Sequence, residues 1–256
     1  MKILYIDCFL GFDAQMLLGA MISAGADIGK IESAVRAVDS GAAVNVSTVQ
    51  RFSMEAQMCS ITTANIPGET PLAEAKKFAD SVISAENGGL ARRAAGIMTE
   101  SAEHSPCRGK TIPTAELMNG LCCANAVFAA AADLGADYVI SSAICDGIGT
   151  SDSGMPIPSP ITLETARRYH IPISSKHIDF ELTGGMNAAI LAAFAAEYGT
   201  MPQMDIISIG YGAGCEIPEA PNLIRAVLGS CGNSELGSMF ETSDLFSEIS
   251  EELSFV

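Results

Sequence analysis

The sequence predicts an α/β chain, with α+β as the alternative, in which helices pack on a mixed sheet. Three observations point there. The N-terminal run KILYI is short and apolar, and sequence of helical period follows it at once. AVNVSTVQ and CSITTANI alternate polar and apolar residues and read as an antiparallel pair. Later strand-like runs, YVISSAI, MDIISIGYGAG and NLIRAVLG, are separated by long helical segments. With 256 residues, 48% hydrophobic and 17% charged, the chain is long and apolar enough for a proper core.

Residues 2–6 form the first buried strand. In the stretch CFLGFDAQMLLGAMISAGAD, Asp13 caps a helix whose buried face carries Met16, Leu17, Ala20, Met21 and Ala24, and Gly25 ends it. A second helix over 28–38 turns Ile31, Ala34, Val35 and Val38 to the same core. After the antiparallel pair within 42–66, two helices fill 71–104, separated by Asn87-Gly88-Gly89. The loop SPCRGKTIP over 105–113 divides the chain into an N-terminal lobe, 1–104, and a second lobe, 113–230.

Pro113 opens the next helix, where its missing N–H costs nothing, and Gly135 closes it after Leu134. Leu117, Leu121, Ala124, Phe128 and Ala131 make its core stripe. YVISSAI over 138–144 reads as one strand. Ser159 caps and Pro160 begins a helix over 161–169, and a strand follows near 171–174. LTGGMNAAILAAFAAEYG is a glycine-opened, alanine-rich helix. The last two strands lead into an acidic tail, 231–256, in which Leu245, Phe246, Ile249 and Leu253 mark a short amphipathic helix.

The net charge of −16 repels phosphate backbones and anionic headgroups, so neither nucleic acid nor membrane is an expected partner. No apolar run approaches the ~20 residues that span a bilayer, and the N-terminus lacks the pattern of a signal peptide. A cytoplasmic protein is expected, with its eight cysteines reduced and mostly buried. None of them forms a CxxC pair.

GYGAG over 210–214 follows a strand, but EIPEAP comes next and no helix opens to hold a pyrophosphate. A tight turn at the strand end is the expected reading. Gly184, Gly185 and Asn187 open a helix whose free N–H groups could hold an anion, with close helix packing as the alternative. The turn containing Gly11, Asp13 and Gln15 is similar, with Asp13 read as a cap rather than a catalytic acid. These six residues are the candidate cofactor-binding set. His104, His170 and His177 lie far apart, without a second histidine or a carboxylate at ligand spacing. No Ser–His–Asp set can be assembled.

Five stretches together resemble the LarC family, the nickel-insertion proteins of nickel-pincer cofactor biosynthesis. They are MKILYIDCFLGFDAQMLLGAMISAGAD, AADLGADYVISS, PIPSPITLETA, ELT…AAILAAFAAEYGTMP and GYGAGCEIPEAPNLIRAVLG, in the family's order over about 1–230. The resemblance implies CTP-dependent insertion of nickel into a pyridinium bis-thiocarboxylate mononucleotide, with one nickel–carbon and two nickel–sulfur bonds. It also implies a nickel-handling pocket and a nucleotide site in the family's C-terminal portion. Relative to the family, several ionisable positions are replaced. Thr111, Pro113, Thr114, Asn119 and Cys123 stand where the family has His-x-His-Glu and two aspartates. Ala14-Gln15-Met16 replaces Gly-Asp-Met, Gly185-Met186-Asn187 replaces Pro-Thr-Gly, and Asp152 stands near a missing histidine.

The framework of the family therefore persists while its polar groups differ. The expected function is a divergent nickel-insertion protein of nickel-pincer cofactor assembly, incomplete as a catalyst alone and with unassigned catalytic residues. If active, it is a chelatase-type lyase needing CTP. Core packing is the first reading of Cys122 and Cys123. As soft ligands, Met118, Asn119, Cys122 and Cys123 form the candidate metal set for nickel. The expected partners are a protein supplying the nucleotide domain and a second copy of the chain. The alternatives are a non-catalytic scaffold docking through the tail, and an unrelated small-ligand enzyme using the glycine turns.

Overall fold

The computed structural model describes residues 1–83, 88–107, 110–151, 154–217 and 220–232. The tail-helix residues 245–253, Asn87 and Asp152 lie outside the described residues.

The chain enters through β1 (Lys2–Asp7), whose alternate side chains are buried on both faces. Asp13 caps α1 (Ala14–Ser23), and Asp27 caps α2 (Ile28–Val38) in the same way. β2 (Ala43–Arg51) and β3 (Met54–Thr62) form an antiparallel hairpin, with Ala43 opposite Thr62 and Arg51 opposite Met54. The second strand thus starts before Cys59, and Phe52 takes the positive φ of the tight turn. β4 (Glu69–Pro71), α3 (Ala75–Val82) and α4 (Gly89–His104) follow. The segment read as the loop 105–113 ends in β5 (Thr111–Pro113), paired with β4, because Leu72 N–H and Thr114 N–H also find partners across that junction.

α5 (Thr114–Leu134) ends on Gly135 in the left-handed region. It does not bury a stripe alone. Met118, Gly120, Cys122, Asn125 and Ala126, off the stripe, are buried as well, because α1, α2, α4 and the later helix α7 (Gly185–Phe194) surround it. At 21 residues α5 is also long and apolar enough to cross a membrane, which corrects the expectation that no run approaches that length; most of it is buried inside the protein.

YVISSAI is two strands. β6 (Tyr138–Ser141) joins the main sheet, and β7 (Ile144–Asp146) leaves it to pair in parallel with the later strand β10 (Ile173–Ser175). Ser142 N–H bonds Ile6 O and closes β6 at the bend. The short β8 (Gly149–Thr150) and β9 (Pro156–Ile157) pair, then Ser159 caps α6 (Pro160–Arg168), ahead of β10 (Ile173–Ser175). α7 (Gly185–Phe194) is shorter than its alanine-rich sequence suggests. Ala196 N–H is taken by Val139 O, so the chain turns into β11 (Glu197–Tyr198) beside β6.

β12 (Asp205–Ala213) and β13 (Leu223–Ser230) complete a seven-stranded mixed sheet ordered β11-β6-β1-β13-β12-β3-β2. β1, β2 and β3 come from residues before 105–113; the other four come after it, so both expected lobes share this sheet. The helices pack on one face around Leu4, Ile6, Leu17, Leu121 and Ile190. Ile3, Tyr5, Ile140 and Val227 form a smaller cluster on the other face.

GYGAG is not a terminal turn. Gly210 and Gly212 lie inside β12, where a Cβ would stand 2.0 Å from Ala20 O and 1.7 Å from Met16 O. These glycines exist so that the backbone of α1 can rest on the strand.

Candidate functional site

The turn between β1 and α1 is bound to the segment that opens α7. Gly11 has a φ of +113°, and the place of its missing Cβ is filled by Leu182. Phe12 N–H donates to Thr183 Oγ1 at 2.9 Å, and that hydroxyl donates to Cys145 O at 3.1 Å. The buried Asp146 fixes the same segment from behind. Its Oδ1 accepts from Gly147, Leu182 and Thr183 N–H at 2.8, 2.7 and 3.3 Å, while Oδ2 has no partner among the described residues. Burial raises the Asp146 carboxyl above its ordinary range against the pull of those three donors.

On this base sits a polar network. Asp13 Oδ1 accepts from Gln15 and Met16 N–H at 2.9 and 3.1 Å, which caps α1. Asp13 Oδ2 accepts from Asn187 Nδ2 at 2.9 Å, and Asn187 Oδ1 accepts from Ala14 N–H at 3.1 Å. Gln15 Oε1 accepts from Ile61 N–H at 2.8 Å and ties α1 to β3. Gly185 packs closely, with its Cβ position 2.9 Å from Ile161.

These groups face a pocket of about 490 Å³, a size suited to a small molecule. Asp13, Gln15, Gly184 and Asn187 line it; Gly11 and Gly185 hold its walls from behind. Two further carboxyls face in. Glu116, in the first turn of α5, is raised by burial. Glu181, just before α7, is raised to about 7, first by burial and then by the charges of Asp146 and Glu116. Cys59, Cys215, Met16 and Met58 add sulfur. Burial holds the Cys59 thiol up at about 12, so a metal binding there must displace a proton.

The four residues of the expected metal set point in different directions. Cys122 Sγ is directed at Val35 O of α2, 3.9 Å away. Cys123 Sγ donates to Asn119 Oδ1 at 3.4 Å, and Asn119 Nδ2 donates to Ile61 O at 2.6 Å. Met118 is buried in the main core. Burial lifts the Cys123 thiol well above its ordinary range, and the charge of Asp13 adds to that rise. Burial raises Cys122 to about 12. Among the described residues, no group of three or more histidines, cysteines, aspartates or glutamates is gathered as a metal cage. The three histidines are not in the pocket lining.

Sequence reasoning overlooked Glu116 and Glu181. They stand 65 positions apart, so no local motif joins them. The available signal was position: Glu116 falls in the first turn behind Pro113, and Glu181 falls three residues before the helix-opening Gly184.

The model of the family described as nickel insertion protein matches residues 4–250. A pyridinium-3,5-bisthiocarboxylic acid mononucleotide nickel insertion protein of Geobacillus kaustophilus is 29% identical over 248 residues, covering 90% of this chain and 60% of that protein. One of the same description from Acetivibrio thermocellus is 25% identical over 264 residues, covering 92% and 62%. The chain thus spans about three fifths of the length of these relatives. No solved structure matches the chain.

Proposed function

Because the chain belongs to the nickel insertion protein family, we propose that its pocket brings Ni²⁺ together with a pyridinium bis-thiocarboxylic acid mononucleotide. The convergence of Asp13, Glu116 and Glu181 with Cys59 and two methionines in one pocket carries this reading. Nickel accepts oxygen, nitrogen and sulfur donors, and the pocket offers oxygen and sulfur.

The lack of a complete cage among the described residues suits a metal that must leave. An ion held by one or two protein carboxylates keeps positions open for the two thiocarboxylates. The thiocarboxylates are already ionised at neutral pH, so the proton that needs an acceptor is the one on the ring carbon, lost when the nickel–carbon bond forms. Glu181, at about 7, is partly ionised at neutral pH, so its charge helps to hold the ion and its carboxylate can take that proton; the segment that Asp146 anchors positions it. Asp13 stays fixed by Asn187 and by the helix it caps, so its role is to hold and orient.

We assign the CTP-dependent part of the reaction to a nucleotide site outside this pocket, and propose a protein partner for it and a cytoplasmic setting. Equilibrium dialysis of the chain with Ni²⁺ tests the central step. Saturable binding is expected, weakened about tenfold in Glu181→Gln. Binding that ignores this change but disappears when Cys122 and Cys123 are both replaced by Ala would move the site to the cysteine pair.

A further inference from the structure

A second concave site lies on α4, with no lining residue in common with the pocket. The cleft, about 360 Å³, is lined by Lys76, Arg92, Arg93, Gly96, Glu100 and Tyr169, with Ile97 behind. In this chain acids outnumber bases 30 to 14, so a run of cations around one cleft is against the grain of the whole surface.

The acidic groups nearby are already engaged. Glu100 Oε2 accepts from Arg168 Nη2 at 3.1 Å and from Tyr169 Oη at 3.3 Å. Asp80 lies 3.5 Å from Arg92 Nε, and Arg92 Nη2 donates to Ile83 O at 3.0 Å. No ion pair involves the side chain of Lys76 or of Arg93 among the described residues. The charge of half-buried Arg93 reaches both Tyr169 and Tyr198, and the buried Tyr198 hydroxyl has no partner among the described residues.

Gly96 lines the cleft without a side chain. A glycine inside a helix costs about 1 kcal/mol relative to alanine. Here no close contact demands it, since a Cβ would meet only Lys76 Cδ, at 3.7 Å. The missing side chain opens room between Lys76 and Arg93.

We propose that this cleft binds the phosphate of a small phosphomonoester, with Arg93 and Lys76 as its charge partners and the Tyr169 ring beside the organic part. The guanidinium fork suits two phosphate oxygens, and the lysine adds a point charge. This inference does not depend on nickel binding at the pocket.

Calorimetric titration of the full chain with ribose 5-phosphate, ribose and inorganic phosphate tests it. Ribose 5-phosphate should saturate one site, and ribose should not bind. Lys76→Gln, at an exposed position, should weaken binding about tenfold, the usual size for a lost bond to a charged group. Gly96→Leu should abolish binding by filling the cleft, with all charges kept. Failure to saturate, or equal affinity in both variants and the parent, would overturn the proposal. Inorganic phosphate bound as tightly as ribose 5-phosphate would overturn the monoester assignment in favour of a site for the free ion. Nickel dialysis should be unchanged in Lys76→Gln, which separates this test from that of the pocket.

Discussion

The pocket under Asp13 and the cleft beside Arg93 are built from opposite charges and held by opposite means. The pocket collects carboxyls and sulfur, and its walls are fixed by buried hydrogen bonds that Thr183 Oγ1 and Asp146 Oδ1 accept from backbone N–H groups. The cleft collects cations from α3 and α4 around Gly96, where a Cβ would meet only Lys76. Burial shifts protonation in the pocket, where Glu181 is lifted to about 7, whereas in the cleft Lys76 stands exposed to water. The pocket is suited to a cation and a proton, the cleft to an anion.

The strongest disturbance on the pocket's side of the molecule is Gly212→Ala. A Cβ 1.7 Å from Met16 O forces α1 off β12, and α1 carries Asp13 and Gln15. A loss of more than about 3 kcal/mol is expected in urea unfolding, with the cleft's helix still formed in any folded fraction.

Next in size is the pH response of Glu181. Its folded carboxyl keeps a proton up to about 7, while the unfolded one releases it near the ordinary 4.5. Between these values the folded state binds more protons. The group's contribution is therefore fully present below about 4.5 and is lost as pH rises through about 7. Allowing for partial solvent screening, the loss is on the order of 1–2 kcal/mol. Glu181→Gln should flatten that decline in melts taken from pH 4 to 8; an unchanged slope would place the titration elsewhere.

Asp13→Ala should cost about 1 kcal/mol, the usual worth of a helix cap, and should also release Asn187. If nickel affinity falls while Asn187→Ala leaves it intact, the carboxylate holds the ion directly. Smallest is Lys30→Ala. Lys30 is exposed and, with its largely covered partner Asp133, belongs to neither site, so the melting midpoint should move little and both ligand titrations should stay unchanged.

Much of this molecule could be read from local chemistry. α2 runs from Ile28 to Val38 as its periodicity indicates, and Asp13, Ser159 and Gly135 sit at the helix ends where their side chains or conformations place them. What failed was decided at long range. YVISSAI splits because β7 finds β10 rather than the main sheet. Gly210 and Gly212 reflect the approach of a helix from another part of the chain, which no neighbouring residue announces. In the same way Asp13, Gln15, Gly184 and Asn187 could be picked from their turns, but the carboxyls that share their pocket come from α5 and from the loop before α7. Charge convergence of that kind is a property of the folded sheet and has no local signature.

The most direct test is anomalous diffraction at the nickel edge from crystals of the chain soaked in Ni²⁺. The account predicts a peak within bonding distance of Asp13, Glu116 or Glu181 in the pocket, weakened when Glu181 is replaced by Gln. A peak between Cys122 and Cys123, or at His104, His170 or His177 with the pocket empty, would contradict it.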